Sequence, residues 1–361
     1  MGTSLLTNQS AMNALQTLRS IGDNMDITQR RVSTGLRINE ASDNTAYWSI
    51  SSMMKSDRNA LSSVSDAMAL GKSQIDVANA TIDKSKEYLD NIQKSLTTAY
   101  EKGTGDIKKI QADIKANMND IESAVYSASL AEKNILGNNG ESVRIAGSYR
   151  REGSAVYVDM IDVGGDELNF ATKGTNGTFD LTKGQLKDIF GSGTAEGDTA
   201  PDFKALSKDL ADSQATLAGM KESDANYGKA KKDVEDAEKA ITDAAKKMTV
   251  SDFVTAKFDD VPSSTMELIL KEVQGKVTNA TSNVVTAGAT LGAAKAQVTG
   301  QIDYVSKLMD AVDKGVGSLV DADMNAESAR LASLQVQQQL GIQALSIANQ
   351  NSQNILSLFR Q

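Results

Sequence analysis

The residues that come closest to forming a chemical site are the acids of a short run near the C-terminal end. Asp321, Asp323 and Asn325 alternate as the first ligands of a calcium loop do. Such a loop needs glycine at its sixth position and an acid at its twelfth, where this chain has Ala326 and Ala332. We therefore interpret Asp321, Asp323 and Asn325 as caps of the following helix, and we expect no metal site.

Side chains that commonly perform catalysis are scarce throughout the chain. It has no histidine and no cysteine, which removes the commonest general base, the usual zinc ligands, thiol nucleophiles and disulfides. Phosphate-binding, dinucleotide-binding and metalloprotease motifs are also absent from the sequence. Catalysis by Asp, Glu, Lys or Ser stays open in principle, but we predict that the protein is not an enzyme and holds no cofactor.

Composition restricts the possible partners and locations. A net charge of −9 and a pI of about 4.8 argue against binding to nucleic acid, which selects clustered Lys and Arg. No stretch approaches the roughly 18 apolar residues of a membrane span. The first twenty residues lack the basic region and continuous apolar core of a cleaved signal peptide. We expect no membrane insertion, and either a cytoplasmic location or export without a cleaved signal.

Both ends of the chain are rich in leucine and free of charge. Residues 331–359 contain 11 large apolar residues, 10 Gln or Asn, and no Asp, Glu, Lys or Arg, and residues 1–18 are also uncharged. A helix that meets water normally carries charges on its exposed face, so these helices are expected to be enclosed by other helices. The sequence predicts self-assembly through these terminal helices. The candidate assembly residues are Leu15, Leu18, Leu331, Leu334, Leu340, Leu345, Ile355, Leu358 and Phe359.

Long helical arms are predicted next to these ends. From Tyr47 to Leu96, mostly apolar positions recur at alternating steps of three and four, which indicates a coiled-coil-like seam. A second helix is expected at 106–130, and a return arm rich in small residues at 265–319. We expect the two arms to pair, and the extreme ends to pair through a looser heptad that includes Leu15, Leu18 and Gln29. The fold class is mainly α, with long antiparallel helical arms, a small β-hairpin and an inserted α+β outer domain.

The middle of the chain has a different composition. Both prolines, Pro201 and Pro262, lie there, and no arginine occurs between 152 and 329. Alternating residues predict a hairpin from 142–147 and 155–161, and further strands at 167–171, 178–181 and 249–258. Charged helical stretches at 202–222 and 228–248 predict a helical hairpin.

A specific motif, GLRINEASDNTA, joins the N-terminal helix to the first arm. Its glycine permits a left-handed backbone, and its Asn, Ser and Asp residues favour turns and caps. Arg37 lies between two apolar residues and suits an ion pair or a carbonyl contact. A purely local capping role stays open. The candidate junction residues are Gly35, Leu36, Arg37, Ile38, Asn39 and Asp43.

Together with the N-terminal helix and the ending ESARLASLQVQQQLGIQALSIANQNSQNILSLFR, this motif resembles bacterial flagellin, and most of all the alphaproteobacterial flagellins. The resemblance covers about 1–150 and 265–361. It implies inner-tube helices and their spoke at 1–45 and 320–361, an outer tube at 46–173 and 263–319, and a surface-exposed variable insert at 174–262.

The function implied by this resemblance is that of a structural subunit that polymerises into the flagellar filament used for swimming. The implied partners are further copies of the chain, sister flagellins, the filament cap, the hook-junction proteins and the flagellar export apparatus. The implied location is extracellular, after export without a cleaved signal peptide.

Three alternatives remain at the sequence level. A hook–filament junction protein shares such terminal helices, and is distinguished by its low copy number. A secreted enzyme with its site in 174–262 would show activity in the isolated insert. A membrane-active coiled-coil translocator would float with liposomes.

Overall fold

The computed structural model describes residues 8–102, 106–153, 155–174, 178–192 and 201–358, with the backbone alone for 101–102 and 351–358. The chain divides into two compact units, one formed by residues 1–63 and 305–361 and the other by residues 64–304. The predicted mainly α fold with long helices from both ends is confirmed. The helices are α1 (Gln9–Thr34), α2 (Thr45–Lys102), α3 (Ile107–Ser127), α4 (Lys187–Phe190), α5 (Phe203–Ala218), α6 (Tyr227–Lys247), α7 (Val250–Thr255), α8 (Ser263–Val320) and α9 (Met324–Leu358).

Within the described residues, the strands form three separate antiparallel pairs. The longest pair is the predicted hairpin, and its register shifts at a bulge between Ala146 and Ser148. At this bulge Gly147 lies so close to Ile161 that a side chain there would collide with it. The strands are β1 (Ser129–Leu130), β2 (Lys133–Asn134), β3 (Ser142–Glu152), β4 (Ala155–Gly164), β5 (Thr172–Lys173) and β6 (Phe179–Asp180).

The second unit is built around the seam between α2 and α8. Along α2, Met68, Ile75, Leu89, Ile92 and Leu96 are fully buried, as the heptad pattern predicted. The two helices approach closely where α8 has small residues: a side chain on Gly288 would contact Ile82. Across the same seam, Lys295 Nζ contacts Asp76 Oδ1 at 2.6 Å. The helices are antiparallel, because residues later in α2 meet residues earlier in α8.

Two of the predicted strands are wrong. Within residues 249–258, Val250–Thr255 form α7, because the Thr249 hydroxyl accepts from the backbone of Asp252 and the Asp252 carboxylate accepts from the backbone of Thr249, a reciprocal cap that starts a helix. Residues 167–171 begin inside a 3₁₀ turn at Asp166–Leu168, and Phe170 then donates its N–H to the Leu136 carbonyl instead of joining a ladder. The predicted strand at 178–181 is confirmed as β6, and the predicted helical hairpin as α5 and α6.

In the first unit, the start of α2 packs against the end of α8. Arg58 Nε donates to Asp313 Oδ1 at 3.2 Å, and Leu61 is buried. The heptad pattern predicted that burial would begin at Tyr47 and Ile50, but both side chains are exposed. The residues that the structure describes therefore cover that part of the predicted seam only in part.

Candidate assembly site

The two terminal helices, α1 and α9, form an antiparallel pair. At one end Asn8 Nδ2 donates to the Ala348 carbonyl at 3.0 Å, and in the middle Leu18 packs against Gly341. Asn8 also caps α1, because its side chain accepts from the backbone N–H of Ala11. Leu334 is buried on the face of α9 that meets α1.

The face of α1 that meets α9 agrees with the predicted heptad at Leu18, Gly22, Met25 and Val32, which are half-buried, and differs from it at Leu15 and Gln29. Half-buried or buried residues recur as Ala14, Leu18, Ile21, Met25 and Thr28, which is a regular alternation of three and four. Leu15 and Gln29, which the looser predicted heptad included, are exposed and lie beside this face. The error arose because α1 carries apolar residues on two neighbouring stripes, and the sequence does not say which stripe has a partner in the same chain.

A second apolar face of α9 points away from α1. Val336, Leu340 and Ile347 are exposed along one stripe of the helix, Ile342 is exposed to one side of that stripe, and the helix has no charged residue after Arg330. On α1, Met12, Leu15 and Ile27 are exposed in the same way. Large apolar residues scattered on a surface are ordinary, but a helix with apolar residues on two faces and no charge after Arg330 is suited to association.

The remaining predicted terminal residues fall in different places. Leu331 and Leu345 are half-buried, and Leu340 is exposed. Ile355 and Leu358 lie in α9, where the structure describes only the backbone. Phe359 lies outside the described residues.

At the junction, the chain turns out of α1 and pairs with the link between α8 and α9. Gly35 ends α1 with a φ of 73°, in the left-handed region that glycine adopts at little cost, and donates its N–H to the Arg31 carbonyl. The Arg37 N–H donates to the Val320 carbonyl at 2.7 Å, and the Ala322 N–H donates to the Gly35 carbonyl at 2.9 Å. These bonds join segments almost 300 residues apart, so the junction is not only a local cap.

Side chains strengthen the same contact. Arg37 Nη2 donates to the Leu319 carbonyl at 2.9 Å, which is one of the two contacts expected for it. Ile38 is buried against Val316 and Val320 at the end of α8, and Leu36 packs against this small core. Every hydrogen bond here satisfies a backbone group at a helix end, where the helix itself provides no partner.

Asp43 organises the turn that leads into α2. Its Oδ2 accepts from the backbone N–H of Asn39 at 2.9 Å and of Glu40 at 3.2 Å, while Oδ1 lies 3.4 Å from Arg30. The hydrogen bond from Asn39, together with that from Glu40 and the charge of Arg30, holds the pKa of Asp43 below its ordinary value, because all three favour the carboxylate. Asn44 then caps α2 by accepting from two backbone N–H groups.

An ion pair that sequence reasoning missed connects the two terminal helices. Arg31 Nη1 contacts Glu327 Oε1 at 3.1 Å, and Glu327 is only 9% exposed. Glu327 precedes Leu331 and Leu334 at helical spacing, on the face of α9 that meets α1, and this position could have identified it. A carboxylate on the inner face of a helix needs a cation from another segment.

The acids of the calcium-like run act differently from one another. Asp323 caps α9, because its Oδ1 accepts from the backbone N–H groups of Asn325 and Ala326. Asn325 lies inside the first turn of α9, and the backbone of Asp321 pairs with Leu36. The capping role expected of Asn325 is therefore wrong. Within the described residues, no cluster of three or more potential ligands could hold a metal ion, and no helix could cross a membrane.

Comparison with known proteins identifies two helical regions, one near each end of the chain. A model of the bacterial flagellin N-terminal helical region matches residues 5–140, and one of the C-terminal helical region matches residues 274–359. A flagellin of Bartonella bacilliformis is 49% identical over 96% of this chain and 97% of that protein. A flagellin of Brucella melitensis biotype 1 is 38% identical over 99% of each chain, and flagellin D of Rhizobium meliloti is 36% identical over 99% of this chain and 100% of that protein.

Proposed function

This chain belongs to the bacterial flagellins, and from that premise we propose that α1 and α9 are the helices through which its copies build the filament. Flagellins polymerise into the filament of the bacterial flagellum, so the chain is a structural subunit and not an enzyme. The observation that supports the role of the terminal helices is the second apolar face of α9, which carries no charge and has no cover from α1.

Energetics favour many simultaneous contacts over one. A fully buried large apolar side chain contributes about 1.5–3 kcal/mol, and the side chains on this face are already half-covered in the single chain. Their burial against one neighbour would contribute a few kcal/mol, while association costs about 4–15 kcal/mol in lost freedom of motion. A single contact is therefore weak, and a copy held by several neighbours is stable. This predicts cooperative polymerisation above a threshold concentration.

In this proposal the junction connects the assembling helices to the rest of the first unit. The Arg31–Glu327 ion pair and the backbone hydrogen bond from Ala322 to Gly35 hold the ends of α1 and α9 together. In our proposal the two helices enter the filament as one preformed pair. Gly35, Leu36, Arg37, Ile38, Asn39 and Asp43 then act as the connection that fixes this pair to α2 and α8.

The same proposal covers the domain organisation. We assign residues 1–45 and 320–361 to an inner tube with its spoke, residues 46–173 and 263–319 to an outer tube, and residues 174–262 to a surface insert. The exposed charged faces of α5 and α6 support the last assignment, because charges such as Lys232 and Glu235 would be costly to bury.

Further partners follow from filament assembly. We propose contacts with the filament cap, the hook-junction proteins and the export apparatus, and export without a cleaved signal peptide to an extracellular filament. Sister flagellins are proposed as possible co-subunits. No observation favours a hook–filament junction protein over a filament subunit, and the relatives named above are flagellins matched over nearly their full length.

Removal of the C-terminal helix tests the proposal. Electron microscopy and sedimentation under polymerising conditions should show filaments from the full chain, and none from a chain that ends at Arg330. Circular dichroism should show that the shortened chain keeps the helices of the second unit. Filaments from the shortened chain would contradict the role given to α9.

A matched control removes residues from the insert. In this variant the exposed end of the α5–α6 hairpin, residues 212–228, is replaced by a short flexible linker. Phe203, Leu210 and Ile241 stay in place, so the core beneath the hairpin is kept. This variant should still form filaments. Loss of assembly here would show that the insert has a structural role in the filament.

A further inference from the structure

Asn139 and Gly140 form a tight turn in the loop that leads from β2 into β3. Both residues have a positive φ, 58° at Asn139 and 81° at Gly140. The Glu141 N–H donates to the Asn138 carbonyl at 2.9 Å, which closes a four-residue turn around them. Two left-handed central residues inside such a bond are typical of a type I′ turn. The loop is therefore held in a conformation that few residue types adopt.

The turn requires the two residue types that it contains. A side chain on Gly140 would collide with Asp166 Oδ1, and the φ at this position would be strained for most residues that have a side chain. Asparagine is one of the few other types that tolerate a left-handed backbone. An asparagine that precedes glycine is also unusually reactive, because glycine has no side chain to shield its backbone nitrogen from the preceding amide carbon. The fold thus places a labile pair at this turn.

No other asparagine that the structure describes has the same surroundings. Asn139 is exposed, and it is the only described asparagine that precedes a glycine. Asn138 precedes another asparagine, and Asn134 is buried, with its side chain bonded to three backbone groups. The sequence has one further Asn-Gly pair at 176–177, which lies outside the described residues. Within the described loop, reaction should therefore concentrate at Asn139.

We propose that Asn139 is a site of spontaneous deamidation, a modification that goes beyond the proposed function and does not depend on it. The Gly140 nitrogen loses its proton to hydroxide and forms a bond to the side-chain carbonyl carbon of Asn139. The bond from that carbon to Nδ2 breaks, and Nδ2 takes a proton from water and leaves as ammonia. Water then opens the succinimide ring at either carbonyl carbon, and its proton returns to the Gly140 nitrogen. The products are aspartate and isoaspartate, and each adds a negative charge.

Local hydrogen bonds control the rate of this reaction. The Gly140 N–H donates to Asn138 Oδ1 at 3.1 Å, and Asn139 Oδ1 accepts from the Lys173 N–H. The attacking nitrogen and the attacked amide are therefore both engaged while the turn is closed. A short exposed turn opens more often than the whole chain unfolds, because few bonds must break. We expect the folded chain to react through this opening, more slowly than the unfolded chain and faster as the pH rises.

The two products differ in their effect on the loop. Aspartate keeps the original backbone and a side-chain oxygen that can accept from the Lys173 N–H. Isoaspartate lengthens the main chain by a carbon atom, so the type I′ geometry and the bond to Lys173 are lost. Because Lys173 belongs to β5, this product should loosen the β5–β6 pair. Both products also place a carboxylate near the Asp166 side chain that packs on Gly140, which adds a weak repulsion in water.

Mass spectrometry of aged full-length protein tests the proposal. Trypsin cuts after Lys133 and Arg144 and releases residues 134–144, which contain Asn134, Asn138 and Asn139. After incubation of the folded protein at mildly alkaline pH, fragmentation should locate the amide-to-carboxylate mass change at Asn139, while Asn134 and Asn138 stay unchanged as internal controls. A protein isoaspartyl methyltransferase should label the same peptide. Conversion at Asn138 instead, or conversion only in urea-unfolded protein, would overturn the proposal.

Two variants test the role of the turn. Asn138→Ala removes the acceptor of the Gly140 N–H, so conversion at Asn139 should become several-fold faster. An unchanged rate would contradict control by the turn. Asn139→Asp is the matched control, because an ionised carboxylate cyclises far more slowly than an amide, and this variant should give little methyltransferase label. Equal labelling of Asn139→Asp and the wild-type protein would overturn the assignment to the Asn139 amide.

Discussion

The helix pair in the second unit and the helix pair in the first differ in how completely one chain covers them. Along α2 in the second unit, Leu89 and Ile92 are fully buried, and Val284 is buried on α8. Along α9 in the first unit, Leu334 is buried, but Leu340 remains exposed on the opposite face. Both pairs are long and antiparallel, yet only the pair in the second unit buries the apolar positions of its seam within a single molecule.

This difference shows that the position of charged residues distinguishes a helix of the folding core from a helix of an assembly surface. The covered helix α2 carries charges such as Asp90 and Lys94 on its outer side, and those charges keep that side in water. The helix α9 carries none after Arg330, so none of its faces resists burial. Apolar content alone would not distinguish the two, because exposed apolar atoms are common on every soluble protein.

The largest effect should come from placing a charge on the uncovered face. Leu340→Asp would bury a carboxylate in each subunit contact, so the concentration needed for polymerisation should rise about 100-fold or more. Thermal unfolding of the monomer should not change, because Leu340 is exposed there. Sedimentation of filaments and circular dichroism measure the two quantities. Ala215→Asp on α5 is the control. If Leu340→Asp polymerised at the same concentration as the wild-type protein, the exposed face of α9 would not be an assembly surface.

A cavity in the covered seam should affect folding instead of assembly. Ile92→Ala removes a fully buried side chain of the second unit and should lower the free energy of unfolding by about 2–5 kcal/mol. Leu70→Ala, at an exposed position of the same helix, should cost less than about 1 kcal/mol. Urea denaturation of the monomer measures both. Equal losses would mean that the seam of the second unit is not the core of the folded chain.

Removal of the Glu327 carboxylate should loosen the terminal pair. Glu327→Ala leaves the partly buried guanidinium of Arg31 without its carboxylate, at a cost of about 1–3 kcal/mol in local stability. Amide hydrogen exchange in α1 and α9 should report this loss, while exchange in the second unit stays unchanged. Asp313→Ala breaks a more exposed ion pair with Arg58 and should cost about 0–1 kcal/mol. Equal effects from the two substitutions would show that burial does not strengthen the Arg31–Glu327 contact.

The smallest expected effect is a loss of stability at the junction in acid. Since the folded chain lowers the pKa of Asp43, its carboxylate stabilises the junction above the ordinary value of 3.8, and this contribution is lost as the pH falls through the lowered value. Trp48 emission, recorded from neutral pH down to about pH 2, should therefore show an acid transition. In Asp43→Asn this part of the transition should be missing. An identical acid profile in both proteins would mean that another group controls the junction.

Much of the fold could be predicted because it depends on local periodicity. The heptads of α2, the hairpin of β3 and β4 and the α5–α6 pair each repeat over enough residues to identify the element. Residues 249–258 were predicted wrongly because a stretch of ten residues is too short for its periodicity to decide, and the Thr249–Asp252 cap decides it instead.

The candidate site was less predictable, because its contacts join distant parts of the chain. Gly35 and Arg37 were singled out from their types and neighbours. Arg31 and Glu327 were missed, since 296 residues separate them in sequence. Leu15 was placed on the wrong stripe of α1, because both stripes are apolar and only the packing of α9 distinguishes them.

The sequence by itself determined which long segments form helices and that the two ends cannot carry a hydrated, charged face. Periodicity and the position of charges are properties of neighbouring residues, so they need no knowledge of the fold. Only the tertiary structure decided which face of α9 is covered by α1 and how Arg31 reaches Glu327. It also decided that α8 ends before it covers Tyr47. Those outcomes depend on distances between segments that are remote along the chain, and no local pattern encodes them.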